Sequence, residues 1–324
     1  MRKQGCIYGL LLAVWICLLG GCGRQMSVQE GGESLAVDSE LSFEESTESS
    51  SSEEKPATSI PPMGEEPSAP WEVQIIDPSG MTVQTRFQTP DGFERVSAEE
   101  GSFGEFLREY PVKEDESPVL LYDGRKKGNQ SAHAAVLALP IENRDLQQCA
   151  DSVMRMYGEY FYATGQYERI CFYFVSGFAA EYDKWREGYR ISVKGNDVSW
   201  VKTEQYDDSY ETFVKYMRMV FAYASTLSMV RESEEVSLEE IQAGDVFLKG
   251  GSPGHVVMVV DVCENQQGQK AFLLAQGYMP AQEFHVLKNP AHEEDPWYYM
   301  EEVSYPFETP EYVFSQGSLR RMKY

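Results

Sequence analysis

Gly244-Asp245-Val246-Phe247-Leu248-Lys249-Gly250-Gly251-Ser252-Pro253-Gly254-His255-Val256-Val257-Met258-Val259-Val260-Asp261 decides the reading of this chain. A short apolar run, a glycine-rich turn and a longer β-branched run predict two buried strands joined by a tight loop. His255 stands at the start of the second strand. The polar stretch Glu264 to Lys270 then turns the chain into a third strand, Ala271 to Gln276, and Phe284 to Leu287 suits a fourth.

Upstream of this meander the pattern is largely helical. Asp145-Leu146-Gln147-Gln148 has capping-box form, and Leu146, Cys149, Val153, Met156, Tyr157 and Tyr160 recur at three and four. That spacing predicts a helix capped by Asp145, with Cys149 three or four residues inside it. Asp208 or Ser209 caps a second helix, expected to run to about Met229. Ser102 to Tyr110 reads as a short helix. Strands are expected at Val119 to Tyr122, Ala134 to Leu139 and Ile170 to Val175, with a strand pair over Val73 to Thr89 and a hairpin around Gly195-Asn196. Helices followed by an antiparallel meander give an α+β class. The aromatic tail, with Trp297 to Tyr299 and Pro310 to Phe314, is expected to wrap the sheet.

Before the globular part, residues 1–22 read as a secretory leader. Arg2 and Lys3 precede an apolar run from Ile7 to Leu19, which is too short for a stable span. The ending Leu19-Gly20-Gly21-Cys22 resembles a bacterial lipobox, which implies lipid on Cys22 and attachment to the extracytoplasmic face of the membrane. Residues 23–69 hold eleven acidic residues against one lysine, with few apolar side chains. They cannot bury enough surface to offset ordering, so they read as a disordered tether reaching roughly 35–40 Å. Residues 70–324 are one α+β domain of ordinary composition.

The net charge of −24 excludes a nucleic-acid footprint, which needs clustered cations. Of six cysteines, Cys149, Cys171 and Cys263 fall in the domain, an odd number without a CxxC pair. No cofactor and no metal are expected. His292-Glu293-Glu294-Asp295 lacks helical metal spacing and reads as a solvated acidic loop. Arg125, Lys126 and Lys127 form a small basic turn, read as a loop face or a contact for a substrate carboxylate.

The chemistry lies in an ordered set. A thiol near a helix start (Cys149), a histidine opening a strand (His255) and a polar residue ending the next strand (Gln276) supply a nucleophile, a base and a group to orient the ring. Each also has a plain structural reading, as core thiol, satisfied histidine or backbone-bonding amide. His133 heads another strand and competes as base. The literal G-x-S-x-G at Gly250 to Gly254 is rejected. It lacks the strand–turn–helix context, and Pro253 has no N–H for an oxyanion.

Gly244-Asp245-Val246-Phe247, the glycine-rich turn and His255-Val256-Val257-Met258-Val259-Val260 resemble the second half of papain-like cell-wall cysteine peptidases and amidases of the NlpC and CHAP types. That resemblance implies Cys149 as nucleophile, His255 as base, Gln276 as orienting residue, and peptidoglycan as substrate. Those families usually carry Asp-Cys-Ser-Gly at the nucleophile, where this chain has Gln148-Cys149-Ala150-Asp151. Gln147 and Gln148 are candidate oxyanion donors. The stretches Asp145 to Asp151, Gly244 to Phe247 with Pro253 to His255, and Phe272 to Gln282 resemble a bacterial lipoprotein family known as domain of unknown function 4846, over roughly Phe87 to the end. The rival reading is a non-catalytic binding module for wall fragments or a protein partner, with an aromatic cleft of Tyr278, Trp297 and Tyr298.

Overall fold

The run His255 to Cys263 is buried at every residue, so it needs packed layers on both faces. A computed structural model describes residues 74–324 and supplies both. The leader, Cys22 and the whole of the 23–69 tether lie outside the described residues. Among the described residues, the main sheet has nine strands: β1 (Phe93–Arg95), β2 (His133–Val136), β3 (Ser233–Glu235), β4 (Val246–Lys249), β5 (His255–Asn265), β6 (Lys270–Gln276), β7 (His285–Leu287), β8 (Tyr298–Tyr299) and β9 (Leu319–Met322). Their order is β2-β7-β6-β5-β4-β9-β3. β1 adds to the far end of β5, and β8 to the start of β6. Every pairing in this sheet is antiparallel. The α+β class and the antiparallel meander therefore stand as read.

Alternation along β5 sorts its side chains. Val256, Met258 and Val260 join the larger core, while Val257 and Val259 join a second cluster on the other face. The register against β6 slips between Leu273 and Leu274. Past this bulge the phase reverses, so Val262 faces the second cluster and Cys263 the first. Helices α1 (Phe103–Arg108), α2 (Cys149–Ala163) and α3 (Tyr210–Tyr223) lie in the chain order expected of them, and a separate helix, α4 (Thr226–Arg231), follows α3. Val153, Met156 and Tyr157 of α2 share the larger core with Phe213, Met217 and Val220 of α3. The aromatic tail closes the other face, with the ring of Phe307 4.6 Å from that of Phe247.

Several local expectations give way. Over residues 74–89 there is no strand pair. A single bridge joins Ile76 to Phe87 around a helical turn, Val83–Arg86, capped by the Thr82 side chain. Val119 to Tyr122 makes only isolated bridges, Leu120 to Lys126 and Leu121 to Gln282. The second long helix stops at Tyr223. Ala224 is extended, and Ser225 caps α4 by accepting from the Leu227 N–H. A serine inside an apolar repeat favours a new N-terminus over helix continuation.

Asp261 anchors the bulged end of β5. Its fully buried carboxylate accepts from Arg95 Nε at 2.7 Å, from Arg108 Nε at 2.9 Å and from the Val262 N–H at 2.9 Å. One charge thus ties β1 and α1 to the central strand. Replacing Asp261 by Ala strands two arginines that are only slightly exposed. Uncompensated buried charge costs about 3–5 kcal/mol, and the partial exposure of the arginines places the expected loss near about 3 kcal/mol. A shift of the denaturant midpoint at unchanged slope measures it. A loss under about 1 kcal/mol would show the pair to be dispensable.

Candidate functional site

Helix α2 begins at Cys149, with Gln148 as its extended N-cap. The Gln148 N–H donates to Asp151 Oδ2 at 3.0 Å. Asp145 is not the cap. Its carboxylate accepts from the Ala281 N–H at 2.7 Å and from Gln148 Nε2 at 3.1 Å, tying the turn before the helix to the loop after β6. Cys149 is therefore the first helical residue, not the third or fourth. The backbone amides of Ala150 and of Val256, the residue after His255, favour the thiolate, but less than burial disfavours it. The thiol is half-buried, and burial, with the Asp151 carboxyl next in effect, pushes it up to about 11.

His255 opens β5 and is 2% exposed. Its Nε2 lies 2.7 Å from Gln276 Oε1, at the end of the neighbouring strand. Gln276 Nε2 in turn donates to Glu311 Oε2 at 2.7 Å. Glu311 accepts in this way, so the Gln276 amide is oriented with its oxygen toward the ring. His255 must then carry its proton on Nε2, leaving Nδ1 as the basic nitrogen. Glu311 is itself held by Lys127 in an ion pair and by Asn129 Nδ2 at 3.1 Å. His285, fully buried, donates Nδ1–H to the Glu283 carbonyl at 2.8 Å and presents Nε2 to Lys127 Nζ at 3.4 Å. The rings of Tyr278 and Tyr312 pack on the His255 ring at 4.8 and 4.7 Å. The chain between Gln276 and Tyr278 runs against the first turn of α2, where a Cβ on Gly277 would lie 3.0 Å from the Gln148 carbonyl, which places thiol and imidazole in one neighbourhood. No hydrogen bond joins the Cys149 sulfur to the His255 ring in this structure.

Burial also drives His255 down to about 4, an effect that its Gln276 bond only partly offsets. The resting pair is thus neutral thiol and neutral imidazole. Both amide atoms of Gln147 are buried without a partner, whereas the Gln148 side chain is taken by Asp145. Of the two oxyanion candidates, only Gln147 has its donors unspent. Close packing of this corner depends on Gly277. A Cβ there would meet Ser152 Oγ at 2.4 Å and the Gln148 carbonyl at 3.0 Å, so only glycine lets the chain after β6 pass the first turn of α2.

The remaining candidates fall elsewhere. His133 bonds the Ser117 carbonyl at 3.1 Å and serves neither Cys149 nor Gln276. Ser252 and Pro253 are exposed turn residues. Lys127, expected on an open basic turn, is buried in its pair with Glu311. Trp297 and Tyr298 are buried in the cores, with Trp297 Nε1 donating to the Gln88 carbonyl at 2.8 Å. The proposed aromatic cleft therefore loses two of its three residues. Glu311 and His285 were not singled out by the sequence, and Lys127 was read only as part of the basic turn. The two partners of the Lys127–Glu311 pair lie 184 residues apart, with no pattern linking them. Five of the cavities on the described surface span about 380 to 890 Å³, and none of these five is lined by Cys149 or His255. Among the described residues, no group of three or more His, Cys, Asp or Glu is placed to hold a metal ion.

The family model for domain of unknown function 4846 matches residues 83–321. The chain belongs to that family. No curated protein and no solved structure matches it. The matched segment contains Cys149, His255, Gln276 and Glu311, so the whole set lies within the family's own region of chain. It also contains Asp151, whose carboxyl burial lifts to about 8.

These shifted groups make stability depend on pH in opposite senses. A buried acid near 8 keeps a proton that the unfolded chain releases near 4, so its contribution is lost as pH rises from about 4 to 8. His255, near 4 when folded and about 6.5 unfolded, contributes stability that is lost as pH falls from about 6.5 to 4. Above about pH 6.5 only the raised carboxyls, Asp151 and the buried Glu232, act. The melting temperature should therefore decline from about pH 6.5 to 8, and Asp151→Asn should flatten that decline. An unchanged slope in the variant would place the Asp151 carboxyl in its ordinary range.

Proposed function

We propose that this member of domain of unknown function 4846 is a cysteine hydrolase or acyltransferase of papain-like, NlpC-type architecture. Its substrate bond is an amide or ester, with peptidoglycan stem peptides as the leading candidates. On this reading Cys22 is lipidated, and the acidic tether lets the domain reach the wall from the outer face of the membrane. The observation that supports it most is the chain Glu311–Gln276–His255, which fixes one imidazole tautomer in the neighbourhood of a thiol at a helix N-terminus. A histidine serving only to fill the core has no need of a tautomer set through two further side chains.

The chemistry follows from that geometry. His255 Nδ1 takes the Cys149 thiol proton as sulfur bonds to the substrate carbonyl carbon. Because the resting pair is neutral, proton transfer accompanies attack rather than preceding it. The N-terminus of α2 favours the developing negative charge, and the Cys149 N–H with the unspent Gln147 amide would hold the oxyanion. The imidazolium returns its proton to the leaving amine or alcohol as the carbon–heteroatom bond breaks, leaving a thioester. Water or an acceptor amine, deprotonated by His255, then attacks that thioester and restores the thiol. Tyr278 and Tyr312 cover the ring and must part to admit substrate.

The binding-module reading is weaker, because Trp297 and Tyr298 belong to the core rather than to a cleft. Digestion of purified peptidoglycan by the wild-type chain, followed by mass analysis of released fragments, separates the two. Wild type should release peptide or disaccharide-peptide fragments. Cys149→Ser should release none, and His255→Ala should slow release by about 10²–10⁴-fold. Equal fragment release by wild type and Cys149→Ser would remove Cys149 as nucleophile, and retention on the sacculus without any cleavage would favour the binding module.

A further inference from the structure

A cavity of about 530 Å³ opens beside the Cys171–Tyr173 strand, the end of α4 and the last two residues of the chain. Its size falls in the roughly 300–1,000 Å³ range of small-molecule sites. Its rim carries three exposed cations, Arg169, Arg231 and Lys323, in a chain whose net charge is −24. Its floor holds two buried residues, Phe174 and Glu232, with the half-buried thiol of Cys171 alongside.

Glu232 is the unusual group. It follows α4 as the C-cap, at the negative end of the helix, where a carboxylate is disfavoured. Oε1 accepts from the Tyr173 N–H at 3.2 Å, but Oε2 is buried without a partner. The Tyr324 hydroxyl, also part of this lining residue set, is buried without a partner too. Buried polar atoms are nearly always satisfied, so two orphans on residues that line one cavity point to a ligand that satisfies them once their side chains turn toward it. Burial raises the Glu232 carboxyl to about 8, so near neutrality it offers an O–H and does not repel an anion. The rim cations keep donors to spare. Arg231 spends Nη1 on the Val175 carbonyl, and Lys323 makes only a 3.4 Å pair with Glu234 in the open. Arg169 is the more committed, to Gln166 and to the Tyr324 backbone oxygen.

We propose that this cavity binds a small amphipathic carboxylate. Its anionic group sits on Arg231 and Lys323, its apolar body covers Phe174 and Cys171, and an amide within that body satisfies the Glu232 Oε2 and the Tyr324 hydroxyl. This site is independent of the Cys149 chemistry and stands or falls separately from it. Isothermal titration of the full chain with N-acetylphenylalanine, beside its uncharged carboxamide, tests the claim. The acid should bind at least about tenfold more tightly than the amide, and Arg231→Gln should remove about tenfold of that affinity. Glu232→Leu should weaken both ligands. Bound acid should also slow iodoacetamide modification of Cys171, followed by mass spectrometry, and leave the rate at Cys149 unchanged. Equal binding of acid and amide, no binding at millimolar concentration, full affinity in Arg231→Gln, or an unprotected Cys171 would each overturn it.

Discussion

The strand His255–Asn265 is buried on both faces, and that burial sets the rest of the architecture. Val256 through Val260 alone place five large apolar side chains out of water, each worth roughly 1.5–3 kcal/mol. A strand of this kind cannot lie at a surface. It requires α1 and α2 on one side and the aromatic tail on the other. A one-residue slip would exchange the two side-chain sets between cores built to different shapes, so the register is strongly held. The Asp261 carboxylate, gripped by Arg95 and Arg108, pins the strand beyond its bulge. His255 at the other end is consequently fixed in position by the fold, before any polar contact of its own is counted.

That fixed histidine sits at the edge of a buried polar network that low dielectric makes both strong and costly. Lys127, Glu311, Gln276, His285 and His255 are each satisfied by another member or by backbone, which is the condition under which such a network is tolerable. Its effect on the site is directional. Glu311 fixes which way the Gln276 amide points, and the amide fixes which ring nitrogen of His255 holds the proton. The same burial that makes these bonds strong keeps the thiol and the imidazole neutral at rest. A thiol of this kind is protected from chance oxidation and alkylation, because the thiolate is the reactive form. It acquires nucleophilicity only when an electrophile and a proton acceptor are aligned with it at once.

Much of this was legible in sequence where the cause is local. The apolar run of β5, the Gly195-Asn196 hairpin and the apolar face of α2 depend on neighbours a few residues away, and they appear where the pattern places them. The order of Cys149, His255 and Gln276 was also visible, and the structure puts Gln276 on the His255 ring. What failed depends on distant partners. Asp145 matches a capping box, but its carboxylate is claimed by the Ala281 amide, 136 residues on. That single bond moves the helix start to Cys149. Lys127 looked like surface because its partner Glu311 carries no signal of its own. Trp297 and Tyr298 looked like a cleft because aromatic residues near prolines suit either a groove or a core, and only packing separates the two.

The division of labour between rigid and irregular elements bears on access to the thiol. Cys149, His255 and Gln276 stand at the ends of a helix and two central strands, where neighbouring backbone bonds hold them. The groups that cover them, Tyr278 and Tyr312, belong to the loop after β6 and to the tail. Tyr312 directly follows Glu311, so the segment that orients the Gln276 amide also lays a ring on His255. Turning the two tyrosines would open the ring without disturbing any backbone ladder bond of β5. Withdrawing the tail would open it further, but at the cost of the Gln276–Glu311 bond and of the tautomer it enforces. Rotation of the tyrosine side chains is therefore the route to the His255 ring that keeps its tautomer in place.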